Sequence, residues 1–532
     1  MRKIMLPLAA ALGMTMLLPQ PPAGAAANPD QPLADGAVQQ VGPGLYFTAT
    51  NTFEINETDA PAGLMGRKHA VTEVNGVAKP QSADPSRADL GVFGQGWEAE
   101  FLGGQLNRKL AAASGAYTVT DLEVGESTRY NLTDTLSTPD GRSINKYTAT
   151  DGSTLTETSK WDSNLGVMTT TIKEVVNADL KSAADSDDTF SGAAADVKPT
   201  YTWAQKAPGS DTWRVTAVGT GSTGTDTVSY DSKGRVSTVS MAAGGESPAQ
   251  TLKVTYSTAT TATSTADGEY TGRAKAIDLT TGTTTQTVAR YSYDSTGLLK
   301  AVTNPVESTE PLATYSYDST GRVADIVSPS NGGWDLDFTT STDGSPNVEP
   351  VGPARPAGES TLNGAADITN TAATQPPAGD ITKADLSSAA SYPGHCSRAT
   401  DWLWYLKNGC AAWAAHYGWH QPYWRQLPSG YWVIGILHDH CTSAPDKPSG
   451  YNFISACDMH DYGYGLIGNT YKGYRYYLDR DKKSNVDNAF HTTLRDYTCS
   501  AYRFKSPCRS IAYTYLQAVK RGGNPKNGAN AT

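Results

Sequence analysis

A short unit recurs in the N-terminal part of this 532-residue chain: VSYDSKGRVSTV from Val228, YSYDSTGLLKAV from Tyr291 and YSYDSTGRVADIV from Tyr315, with a degenerate copy, DGEYTGRAKAI, from Asp267. Counted on Tyr270, Tyr293 and Tyr317, the last three copies are 23 and 24 residues apart. This interval constrains the fold more than any other feature, because a lone hairpin cannot bury its own face and must stack on its neighbours. The unit is physically legible. Tyr and Val suit a pleated surface, Asp-Ser-x-Gly makes the turn, and Gly takes the position with φ > 0. Residues 42–336 are rich in Thr, Ser, Gly, Val and Tyr, and segments such as 215–218, 235–239 and 251–256 alternate with period two. Strands joined by tight turns are expected there, without a long amphipathic helix.

These copies resemble the YD repeats of the RHS family, and LGVFGQGWEAEF from Leu90 is similar to the strand that enters such a region. The resemblance implies a β-shell of the kind that can enclose a C-terminal toxic domain. For an array of about 300 residues, an open curved sheet or small solenoid is expected in place of a closed shell.

The ends of the chain differ in kind. Met1-Arg2-Lys3, the mostly apolar residues 4–18 and a small-residue site at Ala25 to Ala27 read as a secretory signal peptide over 1–27. Pro19, Pro21 and Pro22 cut the apolar run short of a membrane span. Export implies a secreted, extracellular protein. All six cysteines lie between Cys396 and Cys508, an even number that argues for disulfides confined to one C-terminal domain. Residues 391–532 carry a net charge of +7 and no glutamate, against −17 for residues 1–390. A modest basic excess suits an anionic surface, while its plainer reading is a solvated face. Between the two halves, 345–390 is dense in Pro, Ala, Gly, Thr and Ser and too poor in large apolar residues to fold, so a disordered linker is expected. Six of the eleven tryptophans fall between Trp402 and Trp432; most are expected in an aromatic core, with an interfacial lipid-seating patch as the functional alternative.

Helices are expected at 399–407, 411–417, 456–464, 484–497 and 507–520, the last with Ile511, Tyr515 and Val519 on one face. If 456–464 is helical, Cys457, His460, Asp461 and Tyr464 share a face. Ser484 is a candidate N-cap, with Asp487 placed to reach back to it. His460 alone does not indicate catalysis. His-Asp dipeptides are common, and this chain has a second at His438-Asp439.

The wider pattern is more specific. Residues 440–520 resemble the prokaryotic secreted phospholipase A2 family, on Cys441, Thr442, Pro445, Asp446, Pro448, Gly450, Phe453, Ala456, Cys457, His460, Asp461, Tyr462, Gly463 and Tyr464, then KSNVDNAF, Cys499/Cys508 and AYTYLQAVK. The resemblance implies that His460 is the general base for a water nucleophile and that Asp487 holds its other ring nitrogen. No GxSxG elbow offers a serine instead. It further implies a Ca²⁺ held by Asp439, Asp461 and the main-chain oxygen of His440. Cysteine pairs 441–457 and 499–508 follow from it, and Cys396 and Cys410 pair as the remaining two. The residues themselves leave a zinc site open, since His438, Asp439 and His440 stand beside His460-Asp461 in the pattern.

The expectation is therefore a multidomain chain: a β-rich YD-repeat-like region over 28–344, a linker, and an all-α disulfide-linked phospholipase A2-like domain over 391–532. The function expected is calcium-dependent hydrolysis of the sn-2 ester of glycerophospholipids. The partner expected is a phospholipid membrane surface or micelle, with no nucleic acid and no protein partner. The alternatives are a YD-repeat delivery protein with a membrane-lytic payload, a non-catalytic lipid-binding module, and a zinc phosphodiesterase.

Overall fold

A computed structural model describes residues 38–177, 198–340, 346–350, 424–426, 432–434, 441–460 and 483–522, with interruptions of one to four residues. Its main element is a set of eighteen strands, from Arg108–Ala113 to Pro346–Pro350, joined as an antiparallel meander and closed into a barrel. Each strand pairs with the next in sequence, as in the ladders of Thr154–Asp162 with Val167–Val175 and of Ala274–Thr281 with Thr284–Tyr293. A second, six-stranded antiparallel sheet, from Val38–Val41 to Trp97–Phe101, packs on this shell.

The repeat explains how the hairpins stack. In the turn after Tyr230, Asp231 Oδ1 accepts from the backbone amides of Lys233 and Arg235 at 2.9 Å, and Gly234 sits at φ +80°. Asp294 and Asp318 accept in the same way from residues two and four positions on. The tyrosine before each Asp reaches the other way. Tyr230 donates to the carbonyl of Val215, Tyr293 to Ala274 and Tyr317 to Leu299, at 2.6–2.7 Å. One ring, buried at Tyr293 and partly buried at Tyr230 and Tyr317, thus ties each hairpin to the one before it and satisfies its own hydroxyl. The degenerate copy departs from this. The equivalent ladder bond comes from Tyr256, to the carbonyl of Val236 at 2.7 Å, and Tyr270 lies instead in the loop leading to Ala274–Thr281, under Gly297.

The segment from Leu90 closes the seam between the two sheets. Trp97 Nε1 donates to the Tyr317 hydroxyl at 2.8 Å, and the Val92 carbonyl accepts from Ala274 at 2.9 Å. Arg67, buried beside it, pairs with Asp59 and lies 4.8 Å over the Trp97 ring.

The structure departs from two expectations. The array is a closed barrel, neither an open sheet nor a small solenoid. An all-α C-terminal domain is also not what the structure has: strands dominate, the C-terminal part contributes a two-stranded sheet (Trp424–Gln426 with Trp432–Ile434), and its two long described helices pack into the shell. These helices are α1, Lys483–Thr492, continued by π-helical Thr493–Thr498, and α2, Lys505–Gly522. The physical reason lies in α2, which is apolar on two faces. Ile511, Ala512 and Tyr515 join a cluster with Cys441, Phe453, Cys457, Phe490 and Leu494, whereas Tyr513 and Leu516 belong to the shell's own core. A two-helix unit could cover only one of these faces. The strand Pro346–Pro350 pairs with Gly332–Thr340, carrying the sheet beyond residue 344. Residues 1–27, 351–390, 399–407 and 411–417 lie outside the described residues.

Candidate active site

Local sequence prepares the site from both sides. In the loop after Cys441, the Asp446 carboxylate accepts from the Cys441 amide at 3.0 Å, its carbonyl accepts from Phe453 at 2.9 Å, and Ser449 and Gly450 turn the chain at positive φ. The Cys441–Cys457 bridge, Cα–Cα 5.0 Å, then fixes this loop against the helical turn that carries His460. Across from it, the Cys499–Cys508 bridge joins the end of the α1 extension to the first turn of α2. Tyr515 of α2 donates to the Pro445 carbonyl at 2.5 Å and packs edge-on against Phe453.

This frame brings together two residues 27 positions apart. His460 Nε2 lies 3.0 Å from Asp487 Oδ1, with His460 only 6% exposed and Asp487 1%. The carboxylate that helix rules alone would assign to capping α1 is thus turned onto the imidazole. Phe490, one helical turn further along α1, packs against the His460 ring with centroids 4.8 Å apart and planes tilted by 49°. Phe490 closes the KSNVDNAF match, which gives it no role of its own; its spacing of three from Asp487 is the signal that puts both on one helix face.

The α1 segment divides by face. Asp487, Phe490 and Leu494 turn to the site, and Asn488, His491 and Arg495 turn to the shell. Asn488 donates to Thr58 Oγ1 at 2.7 Å, and Arg495 meets Glu100 at 3.1 Å. His491 packs against Gly103 so closely that a Cβ there would strike its ring; burial, then Arg495, Arg509 and Lys520, hold its imidazole well below the ordinary range, so it is neutral. At the start of α2 both Glu126 oxygens accept from the Lys505 amide at 2.9 Å, a shell carboxylate on a helix N-terminus.

Asp439, His440 and Asp461, and Cys396 with Cys410, lie outside the described residues. Among the described residues no group of three His, Cys, Asp or Glu forms a metal cluster.

Residues 432–523 match the family model described as prokaryotic phospholipase A2, and residues 293–332 match the model for the RHS repeat. A secretory phospholipase A2 of Arthroderma benhamiae (strain ATCC MYA-4681 / CBS 112371) is 38% identical over 90 residues, which is 16% of this chain and 57% of that relative. The chain thus spans little more than half the length of the curated relative it matches. A phospholipase A2-like region and an RHS-type repeat therefore share one chain, and two disulfides brace the former.

Proposed function

We propose that the chain is a secreted, calcium-dependent phospholipase A2 that hydrolyses the sn-2 ester of glycerophospholipids. The observation that carries this reading is the buried His460–Asp487 pair, inside the segment similar to that family. With Nε2 donating to Asp487, Nδ1 is the nitrogen that takes a proton from water as the water attacks the ester carbonyl. Asp487 stabilises the resulting imidazolium, which returns the proton to the departing lysophospholipid oxygen. Phe490, packed against the imidazole, limits the room in which that ring can turn.

Asp439, Asp461 and the His440 carbonyl would hold the Ca²⁺. The set is all-oxygen, which suits a hard cation. Asp439 precedes Cys441 by two residues and Asp461 follows His460, so the 441–457 bridge tethers the two segments that carry these donors. When bound, the ion supplies positive charge for the developing oxyanion. The test is release of the sn-2 fatty acid from a defined phospholipid, with calcium and with a chelator. Wild type is expected to be active only with calcium, and His460→Ala is expected to fall to background. Full activity in His460→Ala, or indifference to the chelator, sinks the mechanism; vesicle binding without fatty-acid release would indicate a lipid-binding module.

A second reading, a shell that restrains a membrane-lytic payload, is favoured by the Asn488, His491 and Arg495 face seated on the shell. It predicts a rise in activity when the chain is cut within 351–390.

A further inference from the structure

The barrel carries a cationic cavity that the phospholipase reading does not use. About 400 Å³ in volume, it lies where the short helix Pro85–Leu90 meets two turns of the shell, and Asp89, Lys206, Thr212, Arg214, Lys233 and Arg235 line it. A volume of this order suits a small ligand.

Its charges do not cancel. Asp89, itself buried, serves two buried guanidiniums, Arg87 at 3.0 Å and Arg214 at 3.1 Å, which leaves that trio with one positive charge in excess. Arg235 is matched by Asp231 at 2.7 Å. Lys206 and Lys233 are exposed, and among the described residues neither has an ion-pair partner. The Lys206 side chain crosses the Gly234 turn, where a Cβ would lie 3.3 Å from its Nζ, and it lines the cavity together with Lys233 and Arg235, the residues flanking Gly234. Arg214 is only 8% exposed, and its Nε has no hydrogen-bond partner. Burial lowers the affinity of Arg214 for its proton, Asp89 opposes this, and the nearby Arg87 adds to it. A concentration of uncompensated cations is the more notable because residues 1–390 are strongly acidic overall.

We propose that this cavity binds a phosphate group, either inorganic phosphate or the exposed phosphate of a lipid headgroup. Planar guanidinium and flexible ammonium donors together match a multiply charged tetrahedral oxyanion better than a single carboxylate.

The test titrates inorganic phosphate, and acetate as a control, into the full-length chain by calorimetry at constant ionic strength and pH 7. Saturable one-to-one binding of phosphate is expected, weakened at least ten-fold in Lys206→Ala/Lys233→Ala. A distant exposed pair, Lys146→Ala/Lys160→Ala, is expected to bind like wild type. Absence of saturable binding, or equal loss in both double variants, overturns the proposal, as does wild-type affinity in Lys206→Ala/Lys233→Ala. Sedimentation with dialkyl-ether phosphatidic acid vesicles, which have no sn-2 ester to cleave, distinguishes the sources. Binding that depends on Lys206 and Lys233 and that free phosphate displaces assigns the group to a headgroup. Phosphate binding without vesicle binding assigns it to a soluble phosphate.

Discussion

The strands from Arg108–Ala113 to Pro346–Pro350 satisfy backbone polar groups on their neighbours, and the tyrosine ladder ties neighbouring hairpins. The described residues between Cys441 and Gly522 are held differently, by two disulfides and by side chains that reach the shell, such as Asn488 to Thr58 across 430 residues of sequence. The shell is therefore a product of local repetition, and the helical segment depends on distant partners. Between them lies a buried ionic seam in which Lys68 pairs with Glu123, Arg495 with Glu100, and Arg509 with Glu123 at 3.7 Å. Such a seam gains from pairing only what remains after desolvation, and loses heavily when one partner is removed.

Changes that touch one region alone should leave the other intact. The largest effect is expected for Asp487→Asn, which keeps the shape of the dyad but removes the charge that, in the proposed mechanism, stabilises the imidazolium. Turnover should fall by about 10²–10⁴-fold, with KM little altered and an unchanged β-sheet spectrum. Removing the 441–457 bridge with Cys441→Ala/Cys457→Ala should cost about 3 kcal/mol, seen as early loss of helical signal on heating while the strands persist. A single transition in that variant would show that the two regions unfold together.

The pH response probes the seam. Burial raises the carboxyls of Glu54 and Glu98 to about 7, from 4.5 when unfolded. Folding therefore favours their protonated forms, and their contribution is fully present below pH 4.5 and lost as pH rises through 7. Glu123 has the opposite sign. Burial pushes its carboxyl up, but Lys68, Arg509 and Arg495 prevail and hold it down to about 2, so its contribution is lost as pH falls from 4.5 towards 2. Thermal stability should be higher at pH 5 than at pH 8 by on the order of 2 kcal/mol for each of these two carboxyls. Glu54→Gln and Glu98→Gln should flatten that slope; an unchanged slope in both would place its origin elsewhere. The smallest effect is expected for Glu126→Ala, which removes the carboxylate from the N-terminus of α2 and should cost about 1 kcal/mol, read by protease sensitivity of the helical segment against an unaffected shell.

Much of this was legible in the chain itself. The Asp-Ser-x-Gly turns, the strands around them, the helix near 507–520 and the composition of the cysteine-rich half follow from patterns a few residues long. Spacing puts the degenerate repeat on Tyr270, whereas Tyr256 holds the ladder position, because spacing records an interval and not which hydroxyl finds a carbonyl. Asp487 shows the same limit at the site. Its capping role was a local inference, but its partner is His460, on a segment pinned by a disulfide.

By itself, the sequence determined period, turn chemistry and the residue types of the His460 site, since each rests on backbone and side-chain preferences that act over one hairpin or one helical turn. Only the tertiary structure decided that eighteen strands close, that α2 is shared between two cores, and that Asp487 meets His460. Closure accumulates a small twist from every strand, and burial of a two-faced helix depends on a surface built hundreds of residues away.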